Sequence, residues 1–157
     1  MKHYLPQVRF WKIISIILAL TGVLFTLIGI FCTEGALAVH WGSDGTPNGF
    51  AGKIVLVLIA LMGVLSMFSG KSFQKERPGW HIPVGPEMGY ALSTGLTGCC
   101  AGVNVIVVLY YFRPDERIPA VGAIVMIVLY LMFIMIAFYR DRRYNGRDVK
   151  TGEESHR

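Results

Sequence analysis

His40, Ser43 and Asp44 stand within five positions of one another and carry the side-chain types of a hydrolase triad. A working triad assembles from separated elements, with an oxyanion hole beside the nucleophile. One short loop does not meet that requirement, so no catalytic residue is assigned and the chain is read as a non-enzyme. Glu34, His40 and Asp44 offer metal-ligand chemistry. Zinc, however, takes three or four ligands at defined spacing, oriented by a second shell. A single imidazole between two acids falls short, and neither a metal nor any other cofactor is expected. His40 is better suited to bonding loop backbone, and Asp44 to bonding its own backbone in a turn. His81, between Trp80 and Pro83, reads as interfacial, and His3 and His156 as solvated.

The first of these residues sit on an unusual segment, Ala38–Lys53, within the longer loop 33–52. Two strong turn dipeptides, Asp44-Gly45 and Asn48-Gly49, fall within six residues. Glycine accepts positive φ, and Pro47 fixes its own φ. The loop is therefore predicted to fold back on itself twice as a compact cap. Trp41 and Phe50 flank the turns, and Lys53 can reach headgroups or loop carbonyls. Structureless loops of this length are uncommon and tend to be functional.

The elements that must hold this loop are apolar. Of 157 residues, 54% are hydrophobic and only 16% charged, with mean hydropathy +0.52. A soluble domain carries about 25% charge, and the low charge also excludes disorder. Ile13–Cys32, Ile54–Gly70, Gly89–Phe112 and Ile118–Tyr139 contain no Asp, Glu, Lys, Arg or His. About 20 such residues cross the hydrocarbon core. The predicted fold is an all-α integral membrane protein: four transmembrane helices in an up-down bundle, with a folded extracytoplasmic loop between helices 1 and 2. Its segments are a cytoplasmic stretch 1–12, a first helical hairpin 13–70, a second 71–139, and a charged tail 140–157 expected to be mobile after a short helical extension. Tyr4, Phe10 and Trp11 are placed at headgroup depth. Pro78, Pro83 and Pro86 exclude a regular helix from the inner loop.

Counted along this topology, twelve of the fifteen Lys and Arg fall on one side; Lys53, Arg113 and Arg117 fall on the other. The positive-inside rule puts both termini in the cytoplasm of a multi-pass protein of the cell membrane. The net charge of +5 is thereby explained by topology and anionic headgroups, not by nucleic acid. Ala36-Leu37-Ala38 looks like a signal cleavage site, but the preceding apolar run of 20 exceeds the usual 7–15 residues of a signal core. Cys32, Cys99 and Cys100 lie too far apart in depth for Cys32 to pair with either of the others and are read as free thiols.

Ala91, Gly95, Gly98 and Gly102 recur at spacings of 4, 3 and 4 on one face of the third span. Small residues let a neighbouring backbone approach closely where lipid supplies no hydrophobic drive. That face serves packing inside the bundle or, alternatively, a homo-oligomer, with Gly22 and Gly29 as an opposing groove. Asn104 is the strongly polar side chain at depth, placed for an interhelical hydrogen bond or a substrate contact. Ion-coupled transporters normally carry an ionisable group inside the membrane, and the four spans hold none besides tyrosine and cysteine.

The series His40, Gly45, Pro47, Asn48, Gly49, Phe50 and Lys53 between two spans resembles a bacterial membrane domain of unknown function found at the N-terminus of SdpI-type bacteriocin immunity proteins. The resemblance covers roughly residues 15–66. It departs at Ala38, where that family usually has proline, and the C-terminal segment of the immunity proteins is not found. The resemblance implies the family and the four-span topology. Two functions are then expected. The first is binding or protection through the outer loop, with an extracellular peptide, toxin or envelope component meeting His40, Trp41, Asp44, Phe50 and Lys53. The second is a small transporter or an accessory subunit of a membrane complex.

Overall fold

The computed structural model describes residues 5–74, 86–115 and 117–154, with side chains over 8–72, 87–115 and 117–139. His3, Tyr4, Pro78, Trp80, His81, Pro83 and His156 lie outside the described residues. The element order is α1 (Leu5–Cys32), β1 (Leu37–Trp41), β2 (Pro47–Ala51), α2 (Ile54–Ser66), a 3-10 segment (Ser69–Gln74), α3 (Pro86–Phe112) and α4 (Arg117–Glu154). Val8–Cys32, Glu87–Phe112 and Arg117–Tyr139 are each long and apolar enough to cross a membrane.

The bundle is built around α3. Half of its apolar span is buried, against 6% for α4. α1 runs parallel to α3: Ser15 meets Thr94, Gly22 meets Ala101, Thr26 meets Asn104 and the Glu34 amide meets Tyr111. α4 runs antiparallel to α3, with Gly122 against Ile106, Met126 against Gly102 and Tyr130 against Gly95. α2 is also antiparallel. Leu56 packs with Val107 and Val108, Gly63 lies beside Cys100, Ser66 bonds Thr97, and Gly70 faces the Tyr90 ring. From Val108 to Tyr90 the α2–3-10 segment therefore follows α3 for about 27 Å at helical rise.

Regular helix ends at Ser66, four residues before the predicted end of the second span. Ser66 Oγ donates to Gly63 O at 2.7 Å, and Ser69 Oγ donates to Ser66 O at 2.7 Å. Serine hydroxyls that bond nearby carbonyls compete with the helical ladder. Gly70 then lets the tightened chain pass close to α3; a methyl group there would lie 2.6 Å from Tyr90.

Two further elements differ from expectation. Beyond Tyr139 the chain continues as α4 to Glu154, where a mobile tail was expected. Elongating an existing helix adds one bond per residue fixed, which outweighs two glycines where nucleation would not. Trp11 is buried, 1% exposed, rather than facing the headgroups. Its ring packs edge-on against Phe133 of α4, and its Nε1–H donates to Glu87 Oε1 at 3.0 Å.

Candidate functional site

Past α1, Gly35 takes φ +69° and releases the chain from helix into β1. β1 then pairs antiparallel with β2. Strand alternation sorts the side chains. Leu37, Val39 and Trp41 face the helix ends, where they join the cluster formed with Leu56, Val107 and Val108. Trp41 stacks edge-on with Tyr110 at 5.4 Å. The opposite face carries His40, Asn48 and Phe50, all exposed, with Phe50 at 63%.

The hairpin turn is at Asp44-Gly45, as predicted. Gly45 takes φ +82°, Gly42 N–H donates to Thr46 O at 2.8 Å, and Gly45 N–H to Gly42 O at 3.0 Å. Asp44 Oδ1 accepts from Thr46 Oγ1 at 2.7 Å and from Thr46 N–H at 3.1 Å. Those two donors hold the Asp44 carboxyl below its ordinary value of 3.8. The second predicted turn, Asn48-Gly49, is absent: both residues lie in β2. Asn48 Oδ1 bonds His40 Nδ1 across the hairpin. Gly49 sits opposite His40, where a Cβ would come within 2.8 Å of the His40 Cβ. Gly49 therefore serves close strand approach, and Pro47 begins the strand instead of shaping a turn.

Lys53 does not point to the outer surface. Its Nζ donates to Ile30 O at 2.9 Å and to Thr33 O, the orphan carbonyls that end α1. An ammonium there also complements the negative end of the helix dipole. His40, Asn48 and Phe50 thus share one face, Asp44 and Gly45 form the tip, Trp41 is the underside anchor, and Lys53 belongs to the foundation. Among the described residues no group of three His, Cys, Asp or Glu is placed to hold a metal.

The predicted packing residues all turn onto neighbours in the same chain. Tyr130 lies over Gly95, Met126 over Gly102, and Leu18 against Gly98. Ala91 shares a buried cluster with Trp11 and Ala137. Asn104 is fully buried; its Nδ2 donates to Thr26 Oγ1 at 2.8 Å and to Leu56 O at 3.1 Å, joining three helices. Leu18, Gly95, Gly98, Cys99, Met126 and Tyr130 line a small apolar cleft of about 60 Å³.

Sequence reasoning missed three features. Glu87, fully buried, stands just before the apolar run of the third span. Tyr111 Oη accepts the Glu34 amide at 2.9 Å and ties the hairpin base to α3. Hydroxyls also seam the α1–α3 and α2–α3 contacts: Ser15 with Thr94 and Ser66 with Thr97, each at 2.7 Å. The signal for the seam was the run Ser93, Thr94 and Thr97 within a small-residue stripe. No family model, curated protein or solved structure matches this chain.

Proposed function

We propose that this chain is a non-enzymatic, four-span membrane protein whose outer hairpin recognises an extracellular peptide, toxin or envelope component. The observation that carries the reading is the division of labour in the hairpin. Leu37, Val39 and Trp41 fasten one face to the helix ends, and the other face turns the cross-strand pair His40–Asn48 and a 63% exposed Phe50 outward. An aromatic ring on a braced strand is the kind of side chain that anchors a binding partner. The 27 Å run of α2 and its 3-10 extension along α3 favours four crossings, and the positive-inside count favours cytoplasmic termini. The resemblance to the N-terminal domain of SdpI-type immunity proteins makes toxin protection the form of recognition to test first.

Expression in a toxin-sensitive host tests the reading. The wild-type chain is expected to protect against one or more membrane-active bacteriocins, and His40→Ala or Phe50→Ala to lose protection while reaching the membrane in equal amount. Equal survival of all strains across the panel would overturn it.

A second reading, an accessory subunit, draws on the low burial of α4. Transport is less well supported. The polar seam between α1 and α3 is interrupted where Gly22 packs on Ala101; a methyl at Gly22 would lie 3.2 Å from the Ala101 Cα.

A further inference from the structure

We infer that the end of the bundle opposite the hairpin holds the headgroup of an anionic phospholipid, at a site built around the Tyr90 ring by Lys12 of α1 and Lys71 of the 3-10 segment. Near the hairpin α1 and α2 touch directly, where Gly29 faces the Leu56 side chain. At the opposite end the two chain segments share the Tyr90 ring of α3 instead. The Lys12 ammonium lies over that ring, 5.4 Å from its centroid. Gly70 lies against the same ring; a Cβ there would come within 2.6 Å of Cδ1 and 2.9 Å of Cε1. Lys71 is the next residue, one Cα step of about 3.8 Å away. Lys12 and Lys71 are both exposed. One half-buried aromatic ring thus gathers two lysines from separate elements.

The chemistry of the two lysines calls for an anion. A cation over an aromatic face is held by the ring quadrupole, which leaves its N–H donors available. Lys53 differs, because its donors are taken by the Ile30 and Thr33 carbonyls. Among the described side chains at this end the exposed charges are Arg9, Lys12 and Lys71, all cations. The described acid, Glu87, is fully buried and accepts from Trp11 Nε1. Depth selects the kind of anion. Lys12 directly precedes the apolar run of α1, and Ile16, one turn further along the same face, is exposed. A phosphodiester at Lys12 therefore leaves its acyl chain beside an apolar surface, which a soluble phosphate cannot use. Basic pockets between membrane helices hold anionic headgroups in this way. The bound lipid ties α1 to the 3-10 segment, whose regular helix has already ended at Ser66. This inference does not depend on what the hairpin recognises.

The test uses the full chain in a mild detergent, offered equimolar phosphatidylglycerol and phosphatidylcholine with the same acyl chains. Native mass spectrometry reads the ratio of the two lipids retained. The wild-type chain is expected to retain phosphatidylglycerol in preference. Lys12→Gln and Lys71→Gln should each lower the ratio about fivefold, the worth of one lysine near an anionic surface. Lys12→Arg should keep it. Arg113→Gln makes the same charge change at an exposed position near the hairpin and should leave the ratio unaltered. The lost ring contact in Lys12→Gln weakens the protein with either lipid alike, so the ratio isolates the headgroup. Equal retention of the two lipids refutes the site. So does an equal fall in Arg113→Gln and the lysine variants, which would make the preference one of diffuse charge, or a fall in only one of the two lysine variants. Displacement of phosphatidylglycerol by excess glycerol 3-phosphate would assign the pocket to a soluble phosphate ester and overturn the lipid reading.

Discussion

At the scale of single residues, two polar side chains near the hairpin do structural work that a surface reading would assign to binding. Lys53 caps the end of α1 from the start of α2, so Lys53→Met leaves two carbonyls without a charged donor. Such bonds are worth about 1.5–3 kcal/mol each when well formed, and this ammonium is only half-buried. The expected loss is about 1–2 kcal/mol in thermal unfolding in detergent, largely restored by Lys53→Arg; an unchanged melting temperature would show that the cap is idle. Asp44 gives a pH dependence of fixed sign. Its folded carboxyl is held below 3.8 by the Thr46 hydroxyl and amide. The turn is therefore stabilised above the unfolded value and loses that stabilisation as pH falls through the lower, folded one. The Thr46 amide shift, followed by NMR, should titrate with a midpoint below 3.8, and Asp44→Asn should abolish the titration. The contrast between the two glycine dipeptides marks what local sequence can reveal. Asp44-Gly45 is legible as a turn because its bonds are made within four residues. Asn48-Gly49 has the same local chemistry but lies in a strand, because His40, eight residues earlier, supplies both the amide's partner and the need for a bare Cα.

At the scale of elements, the apolar runs and their approximate ends were legible, since hydrocarbon solubility is a property of each segment taken alone. The partners were not. The 4-3-4 spacing on α3 specifies a groove without naming what fills it, and the answer is divided: α4 takes Gly95 and Gly102, and α1 takes Gly98. Glu87 escaped notice for a related reason. It stands outside the apolar window, yet Trp11 of α1 folds over it. These contacts make unequal demands on substitution. Gly95→Leu drives a side chain into the Tyr130 ring, and overpacking of this kind costs about 1–3 kcal/mol. Released proteolysis of α4, with α1–α3 still protected, is the expected signature. Asn104→Leu removes one interhelical node and leaves the Thr26 hydroxyl bonded to Gly22 O at 2.9 Å. Its expected cost is about 0.6–2 kcal/mol, the range of hydrogen bonds between membrane helices. A melting curve in which Asn104→Leu loses more than Gly95→Leu would reverse the ranking of polar and steric terms argued here.

At the scale of the whole molecule, α3 is the hub, α1 and α2 are joined to it by hydroxyls and an amide, and α4 packs on it through Gly122, Met126 and the Tyr130 ring. That asymmetry sets how firmly each wall of the bundle supports the hairpin. β1 rests on α3 and Leu56, where α1, α2 and α3 meet, so the cap is braced by the hydrogen-bonded part of the bundle. The arrangement has meaning only if the α2–3-10 segment carries the chain across the membrane, because otherwise the hairpin and Gln74 would face the same compartment. A regular helix of 13 residues is too short to cross by itself, at about 20 Å against a core of about 30 Å. In the four-span reading proposed above, the 3-10 extension would complete the depth, and Gly70 would let it stay against α3. Replacing Cys32, Cys99 and Cys100 by serine or alanine and placing single cysteines at Ser43 or Ser72, both exposed, separates the alternatives. A membrane-impermeant maleimide applied to intact cells should label Ser43→Cys and spare Ser72→Cys until the cells are lysed. Labelling of both from outside would mean that α2 turns back within the outer half of the bilayer. Labelling of Ser72→Cys alone would invert the molecule and put the hairpin, with Phe50, in the cytoplasm, where no extracellular peptide could reach it.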